Sequence, residues 1–284
     1  MPEPERFDVQ TSGGELAVYR WPGSGPVVLA VHGITSNHRS WGNVAAALGG
    51  DVTLVAPDVR GRGRSNGHPG PYAIADHADD LAAILDQLGE ADAVVAGHSM
   101  GGFVATSFGE RHPERAKALV LVDGGPPLLV PPGVDVDQAL AATLGPAMAR
   151  LDMTFPDREA YREFWRRHPA FVGLWSDEVD AHVQHDLVGS EPELRSSCVR
   201  DAIRLNGREL LASEQVRTAI GRVRCPVRML WAPKGMLDDP GGLYAADRLE
   251  GLDAELVPGT NHYSILLGTD GAGAVAAAIR AAAL

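Results

Sequence analysis

Nearly unbroken apolar runs recur along the chain at Pro26–Val31, Val52–Pro57, Ala93–Ala96 and Ala118–Val122. Runs of this kind suit strands buried on both faces, as in a parallel sheet. Between them the period changes. Residues Ile74–Leu88 place Ala78, Leu81, Leu85 and Leu88 on one stripe, the spacing of an amphipathic helix. Trp41–Leu48 reads as a shorter helix, and another follows Ser99 and stops near Pro113. Glu15–Arg20 alternates apolar and polar after a Gly13-Gly14 turn, so it reads as a half-covered strand. Strands alternating with helices predict an α/β fold, a mostly parallel central sheet with helices on both faces.

The rhythm breaks after Asp123. From about Gly124 to Ser213 no buried strand is legible; Pro126-Pro127 and Pro131-Pro132-Gly133 mark a loop, and helical patterns follow with a dense set of aromatics. These are Phe155, Tyr161, Phe164, Trp165, Phe171 and Trp175. The sheet pattern resumes at Val227–Ala232, then a helix is expected near Leu243–Leu249, a strand near Ala254–Val257, and an amphipathic closing helix from Ala272. We therefore expect one α/β core built from residues 1–124 and 214–284, with residues 125–213 inserted as a helical cap.

Composition narrows the function classes. With 284 residues, 45% of them hydrophobic and 22% charged, the chain has ample material for a large core. A net charge of −12 argues against nucleic acid or an anionic membrane as partner. No stretch approaches the roughly 20 apolar residues of a membrane span, and the charged opening Met1–Arg6 lacks the apolar segment of a secretory signal, so a cytoplasmic location is expected. Cys198 and Cys225 form no metal or redox spacing and read as free thiols, with a disulfide between them the alternative. The abundance of Ala, Gly, Arg and Asp fits a high-GC bacterial genome.

The chemistry-bearing stretch is Gly97-His98-Ser99-Met100-Gly101. It lies where an apolar strand turns into a helix, the context that gives G-x-S-x-G its meaning. A serine on so tight a turn needs small neighbours, which Gly97 and Gly101 supply, and the turn presents its hydroxyl at a helix N-terminus, where free N–H groups favour developing negative charge. Ser99 is accordingly expected to be a nucleophile. Three further features stand with it: His32-Gly33 after an early strand, Asp58-x-Arg60-Gly61-x-Gly63-x-Ser65, and a late Asn261-His262.

In these four features the chain resembles the α/β-hydrolase-fold serine hydrolases, in their order and nearly end to end apart from the cap. The resemblance implies a general base at His262 and an oxyanion hole made by the backbone N–H groups of Ile34 and Met100. It implies that His32 shapes the oxyanion loop and that Asp58 and Arg60 brace neighbouring loops. His98 is expected to pack or hydrogen-bond beside the serine, and the cap histidines His168, His182 and His185 to be solvated, unless one lines the pocket. The acid is where this chain departs from the family. The usual register after the Val227–Ala232 strand lands on Gly235, which leaves Asp123, at the end of the strand after the nucleophile helix, as the favoured acid, with Asp238 or Asp239 as alternatives. His98, Trp165, Trp175 and Phe155 are expected to contribute to substrate binding.

The expected activity is cleavage of an ester-like bond in a small-molecule ester or lactone through an acyl-enzyme, with no metal and no organic cofactor. The rival readings are a C–C bond hydrolase of a ring-cleavage product and a non-catalytic small-molecule binding protein on the same scaffold. Monomer and homodimer both remain open.

Overall fold

The structure is a computed structural model that describes residues 3–129 and 133–284. The expectations for Met1-Pro2 and for the Pro131-Pro132 loop lie outside the described residues. Strands β1 (Glu5–Thr11), β2 (Gly14–Trp21), β3 (Val27–Val31), β4 (Thr53–Pro57), β5 (Ala93–His98) and β6 (Ala116–Val122) come first. A short pair, β7 (Leu187–Val188) and β8 (Arg195–Ser196), precedes β9 (Val227–Trp231) and β10 (Asp253–Leu256). The main sheet has eight strands in the order β1-β2-β4-β3-β5-β6-β9-β10. It is antiparallel from β1 through β2 to β4 and parallel from there on.

The apolar runs form the parallel centre because each strand side covers a different helical layer. Along β3, Leu29 and Val31 face one core and Val28 and Ala30 the other, the two-residue alternation of a strand. The first core is covered by α2 (Ile74–Leu88) and α3 (Met100–Arg111), through Ile74, Leu81, Leu85, Phe103 and Phe108. The second is covered by α1 (Gly42–Leu48) and the C-terminal α10 (Thr269–Ala283), through Val44, Leu48, Val275 and Ile279. Among the described residues no helix is long and apolar enough to cross a membrane.

Between β6 and β9 the described residues add no strand to the main sheet. They carry α4 (Val136–Arg150), α5 (Arg158–Arg166), α6 (Asp177–His185), the β7–β8 pair, α7 (Arg200–Ala212) and α8 (Glu214–Thr218). This segment is packed in two ways. Helix α7 sends Ile203, Leu210 and Leu211 into the first core, whereas Phe155, Tyr161, Trp165, Phe171, Val179 and Val183 close a third cluster of their own.

Two sequence expectations need correction. Leu243–Leu249 is not a helix; it is a loop with one 3₁₀ turn at Ala246–Arg248. Its apolar positions serve different neighbours: Leu243 lines a cavity, the Tyr244 hydroxyl donates to the Pro126 carbonyl at 2.8 Å, and Leu249 enters the first core. The edge strand β1 has no counterpart in the sequence reading, because Val9 is its one fully buried residue and its remaining positions are polar or half-exposed.

Close backbone crossings at the end of β5 set the tightest tolerances. A Cβ on Gly97 would lie 2.1 Å from the Gly101 carbonyl oxygen, one on Gly101 2.1 Å from that of Val31, and one on Gly124 2.1 Å from that of Ser99. Gly273, inside α10, has open space around the same position. Gly124→Ala is therefore expected to cost about 3 kcal/mol or more, because backbone must move. Gly273→Ala is expected to add about 1 kcal/mol through helix propensity. Denaturant unfolding of the two variants beside the parent chain checks both signs.

Candidate active site

Ser99 sits between β5 and α3 with φ 54° and ψ −121°, a left-handed conformation imposed by the strand-to-helix turn. Ser99 is half-buried while its chain neighbours are buried. The loop after β3 runs directly against it: a Cβ at Gly33 would lie 3.3 Å from the Ser99 Cβ and 3.7 Å from its Oγ. Ile34 follows Gly33 on that loop and lines the same cavity as Ser99, and Met100 is the first residue of α3; no backbone hydrogen bond from either N–H is found among the described residues.

His262 follows β10 on the loop that opens α9 (Ser264–Leu267). Its Nδ1–H donates to Asp123 Oδ2 at 2.6 Å. Asp123 stands at the end of β6 with φ 45°, its own N–H donating to the Leu230 carbonyl at 2.8 Å. Its other carboxylate oxygen accepts the Ala232 N–H at 3.2 Å, so the carboxylate is clamped between β9 and the histidine with no exposed surface. The alternative acids are turned elsewhere. Asp238 pairs with Lys234 at 2.9 Å and accepts from the Asn261 amide at 3.0 Å; Asp239 accepts the Leu237 N–H at 3.1 Å. A side chain at Gly235 would meet the Asp239 carboxylate at 2.8 Å.

Ser99, His262 and Ile34 line one cavity, whose walls are largely Leu128, Leu140, Leu144, Leu210, Leu211, Met236 and Leu243. Among the described residues no Asp, Glu, Lys or Arg lines it. Trp165 and His98 belong to this wall. The His98 Nε2–H donates to the His262 carbonyl at 2.8 Å, which ties the two loops together. Phe155 and Trp175 do not belong to it. Phe155 is spent inside the cap's own cluster, edge-to-face on Tyr161 with ring centroids 4.7 Å apart. Trp175 lies on a separate outer cleft beneath the Arg166 guanidinium, 4.7 Å from its ring centre. Of the cap histidines, His182 is buried and lines the cavity, and His185 is bound to Asp58; neither is solvated.

A layer of buried polar groups holds the loops in place. The Val59 N–H donates to His32 Nε2 at 3.0 Å, so the proton is on Nδ1, which donates to the Gly33 carbonyl at 2.7 Å. Burial holds His32 neutral, with its pKa pushed down to about 4. Arg60 forms a two-pronged pair with Asp80 at 2.6 and 2.7 Å. Asp58 accepts from the His38 N–H, the His38 ring, the Arg64 N–H and the His185 ring, between 2.7 and 2.9 Å. Burial opposes its ionisation, but His38 and His185 outweigh that and hold the carboxyl well below the usual range. His38, Asp58 and His185 also form a cluster of metal-ligand type, but their donors are already spent on the carboxylate, the chemistry of a brace.

Sequence reading missed Arg62. Its guanidinium is buried without a carboxylate partner and donates to the carbonyls of Ile34 (3.0 Å) and Arg60 (2.8 Å) and to the Asn206 amide oxygen (2.7 Å). A second buried arginine, Arg150, bonds to Asp186 and Tyr161 and lies 5.0 Å above the Trp165 ring, which fixes that wall of the cavity. An arginine in a Gly-rich loop gives no signal of burial; only the arrival of α7, with Asn206, supplies its third acceptor.

The sequence profile of the alpha/beta hydrolase fold matches residues 26–269. The chain belongs to the alpha/beta hydrolase fold family. Within that family it is similar to lipase LipV of Mycobacterium tuberculosis, 39% identical over 179 residues that cover 61% of this chain and 62% of that protein. It is also similar to 2-(acetamidomethylene)succinate hydrolase of Mesorhizobium japonicum, 34% identical over 107 residues, 38% of each chain. An uncharacterized Mycobacterium tuberculosis protein is 34% identical over 122 residues, 43% of this chain and 36% of that protein. The matched stretches thus span between 36% and 62% of the length of these curated relatives. Among solved structures, an E-2-(acetamidomethylene)succinate hydrolase superposes with TM-score 0.79 at 23% identity, covering 98% of this chain and 97% of that one. A thermophilic esterase from Thermogutta terrifontis superposes with TM-score 0.68 at 21% identity, covering 99% of this chain and 100% of that one. At these identities the superpositions speak for the fold.

The neutral buried histidines make stability pH-dependent. Burial lowers His32 and His38 to about 4 and His182 to about 3, against 6.5 in the unfolded chain. Below pH 6.5 the unfolded chain takes up protons that the folded chain refuses, so stability is full above that pH and falls as pH drops towards 4. Each such histidine contributes a slope of about 1.4 kcal/mol per pH unit in that window. Unfolding free energies measured by denaturant from pH 7 to 4.5 should decline steeply; a flat profile would contradict the neutral assignment.

Proposed function

We propose that this alpha/beta hydrolase cleaves carboxylic esters or lactones of uncharged, largely apolar acids through an acyl-enzyme on Ser99. The observation that carries the reading is the 2.6 Å bond from His262 to the buried Asp123, on a cavity that also takes in Ser99. The carboxylate holds the imidazole with its proton on Nδ1 and leaves Nε2 free as a base. In the reaction, Ser99 Oγ attacks the acyl carbon and His262 Nε2 takes the hydroxyl proton. The tetrahedral oxyanion is received by the Ile34 and Met100 N–H groups, and His262 returns the proton to the departing alcohol oxygen. Water, deprotonated by the same imidazole, then attacks the acyl-enzyme and restores Ser99 with release of the acid.

The lining favours this substrate class over an anionic one. The relative named for 2-(acetamidomethylene)succinate and C–C bond hydrolases of keto acids take carboxylate-bearing substrates, which call for a cationic anchor. No Lys or Arg lines this cavity among the described residues, and a carboxylate there would lose its solvation uncompensated. The similarity to a lipase points the same way.

A fluorophosphonate probe should label the folded protein on Ser99 and leave Ser99→Ala unlabelled; a folded parent protein that stays unlabelled overturns the reading. Asp123→Asn should lower kcat on p-nitrophenyl esters by about 10⁴. Near-parental activity in that variant, with collapse in Asp238→Asn, would move the acid.

A further inference from the structure

The apolar cavity contains a polar exception. Ser40, on the 3₁₀ turn His38–Trp41, and His182, on α6, both line it. They are 3% and 7% exposed, and neither Ser40 Oγ nor His182 Nδ1 has a hydrogen-bond partner. Both belong to the same junction between turn and cap. The Asn37 amide donates to the His182 carbonyl at 3.0 Å, and the Ser40 N–H donates to the Asn37 carbonyl at 3.1 Å.

Behind the cavity, His38 Nε2, Trp41 Nε1, His77 Nδ1 and Arg150 Nε are also unpartnered, but none of these residues lines it. Arg62, Asp58, His32 and Asp123 are all hydrogen-bonded to protein. A buried polar atom left without a partner is costly, and native structures keep few of them. Two at one junction, on residues that line the cavity holding Ser99, describe a subsite whose partner is the ligand. Trp165 Nε1, also on the wall, is unpartnered too but can only donate; His98 Nδ1 is unpartnered and lies beside Ser99, 3.5 Å from where a Cβ at Gly33 would stand.

The chemistry of the partner follows from the charge state of the pair. Burial keeps His182 neutral, so its ring offers one donor and one acceptor, and the Ser40 hydroxyl offers one of each. With no Asp, Glu, Lys or Arg on the wall among the described residues, neither a carboxylate nor an ammonium is matched there. We propose that Ser40 and His182 form a polar subsite for an uncharged oxygen function, a keto, ether or hydroxyl group, on the carbon skeleton of the substrate. This rests on the ester-hydrolase reading and refines it: the substrate is an oxygenated apolar ester, not a plain alkyl one.

The test compares matched esters that differ only in that oxygen: methyl hexanoate against methyl 3-, 4- and 5-oxohexanoate, and hexyl acetate against its oxo analogues. Binding is read on Ser99→Ala protein by isothermal titration calorimetry, which needs no turnover, and kcat/KM is read on the parent enzyme. At least one oxo ester should bind about tenfold more tightly than its alkyl match, the yield of one hydrogen bond to an otherwise unpaired group. The ratio should fall towards one in Ser40→Ala and in His182→Leu and persist in Ser40→Thr. Each ratio is taken within a single protein, so a general loss of stability does not move it. Equal binding of every pair, or a preference that survives both removals, overturns the subsite. If Ser99 is labelled by fluorophosphonate while the ratios are all near one, the subsite alone fails. If labelling fails while an oxo preference survives in Ser99→Ala and disappears in the two variants, the subsite stands and the ester-hydrolase reading falls.

Discussion

The site depends on how closely three pieces of backbone pass each other at the end of β5. The turn at Ser99 is pressed on one side by the loop after β3 and on the other by the loop after β6, at separations that admit no Cβ at residues 97, 101 or 124. That crowding holds Ser99 at positive φ and brings it onto one cavity with Ile34 and with His262, which Asp123 supports from behind. The strain of the serine is held by the two packed cores on either side of the sheet, which cannot relax without unstacking β3, β5 and β6.

Around that crossing the protein keeps charge out of the cavity and behind its walls. The imidazoles of His32, His98 and His182 are neutral through burial, and the carboxylates in reach are engaged by donors on fixed elements. Arg62 is the exception. Its charge is solvated by neutral oxygens, one of them the Ile34 carbonyl, so a positive charge stands behind the loop that lines the cavity beside Ser99. In a low-dielectric interior such a charge favours negative charge forming in front of that loop.

The inserted segment does two jobs with separate residues. Helix α7 packs into the first core through Ile203, Leu210 and Leu211, and its Asn206 amide oxygen accepts a hydrogen bond from Arg62. The aromatic cluster of α5 and α6 packs on itself, and only Trp165 and His182 turn from it to the cavity. This explains why aromatics of equal appearance in the sequence have unlike fates: Phe155 fills the cluster, Trp175 packs on its edge away from the cavity, and Trp165 reaches both the cluster and the cavity.

The sequence by itself determined the elements and their order. Period-two and period-3.6 patterns are local consequences of burying one face or two, and the glycines at 97 and 101 mark a turn that no other residue would tolerate. Its silence was also physical: β1 is an edge strand with little to bury, and the loop at 243–249 serves neighbours far apart in sequence. Only the tertiary structure decided which carboxylate meets His262. The sequence favoured Asp123 over Asp238 and Asp239 through the vacancy at Gly235, but the contact itself depends on the register of β6 against β9 and on Lys234 and Asn261 engaging Asp238. The same holds for Arg62, Ser40 and His182, whose partners, or lack of them, are set by contacts between segments about 140 residues apart.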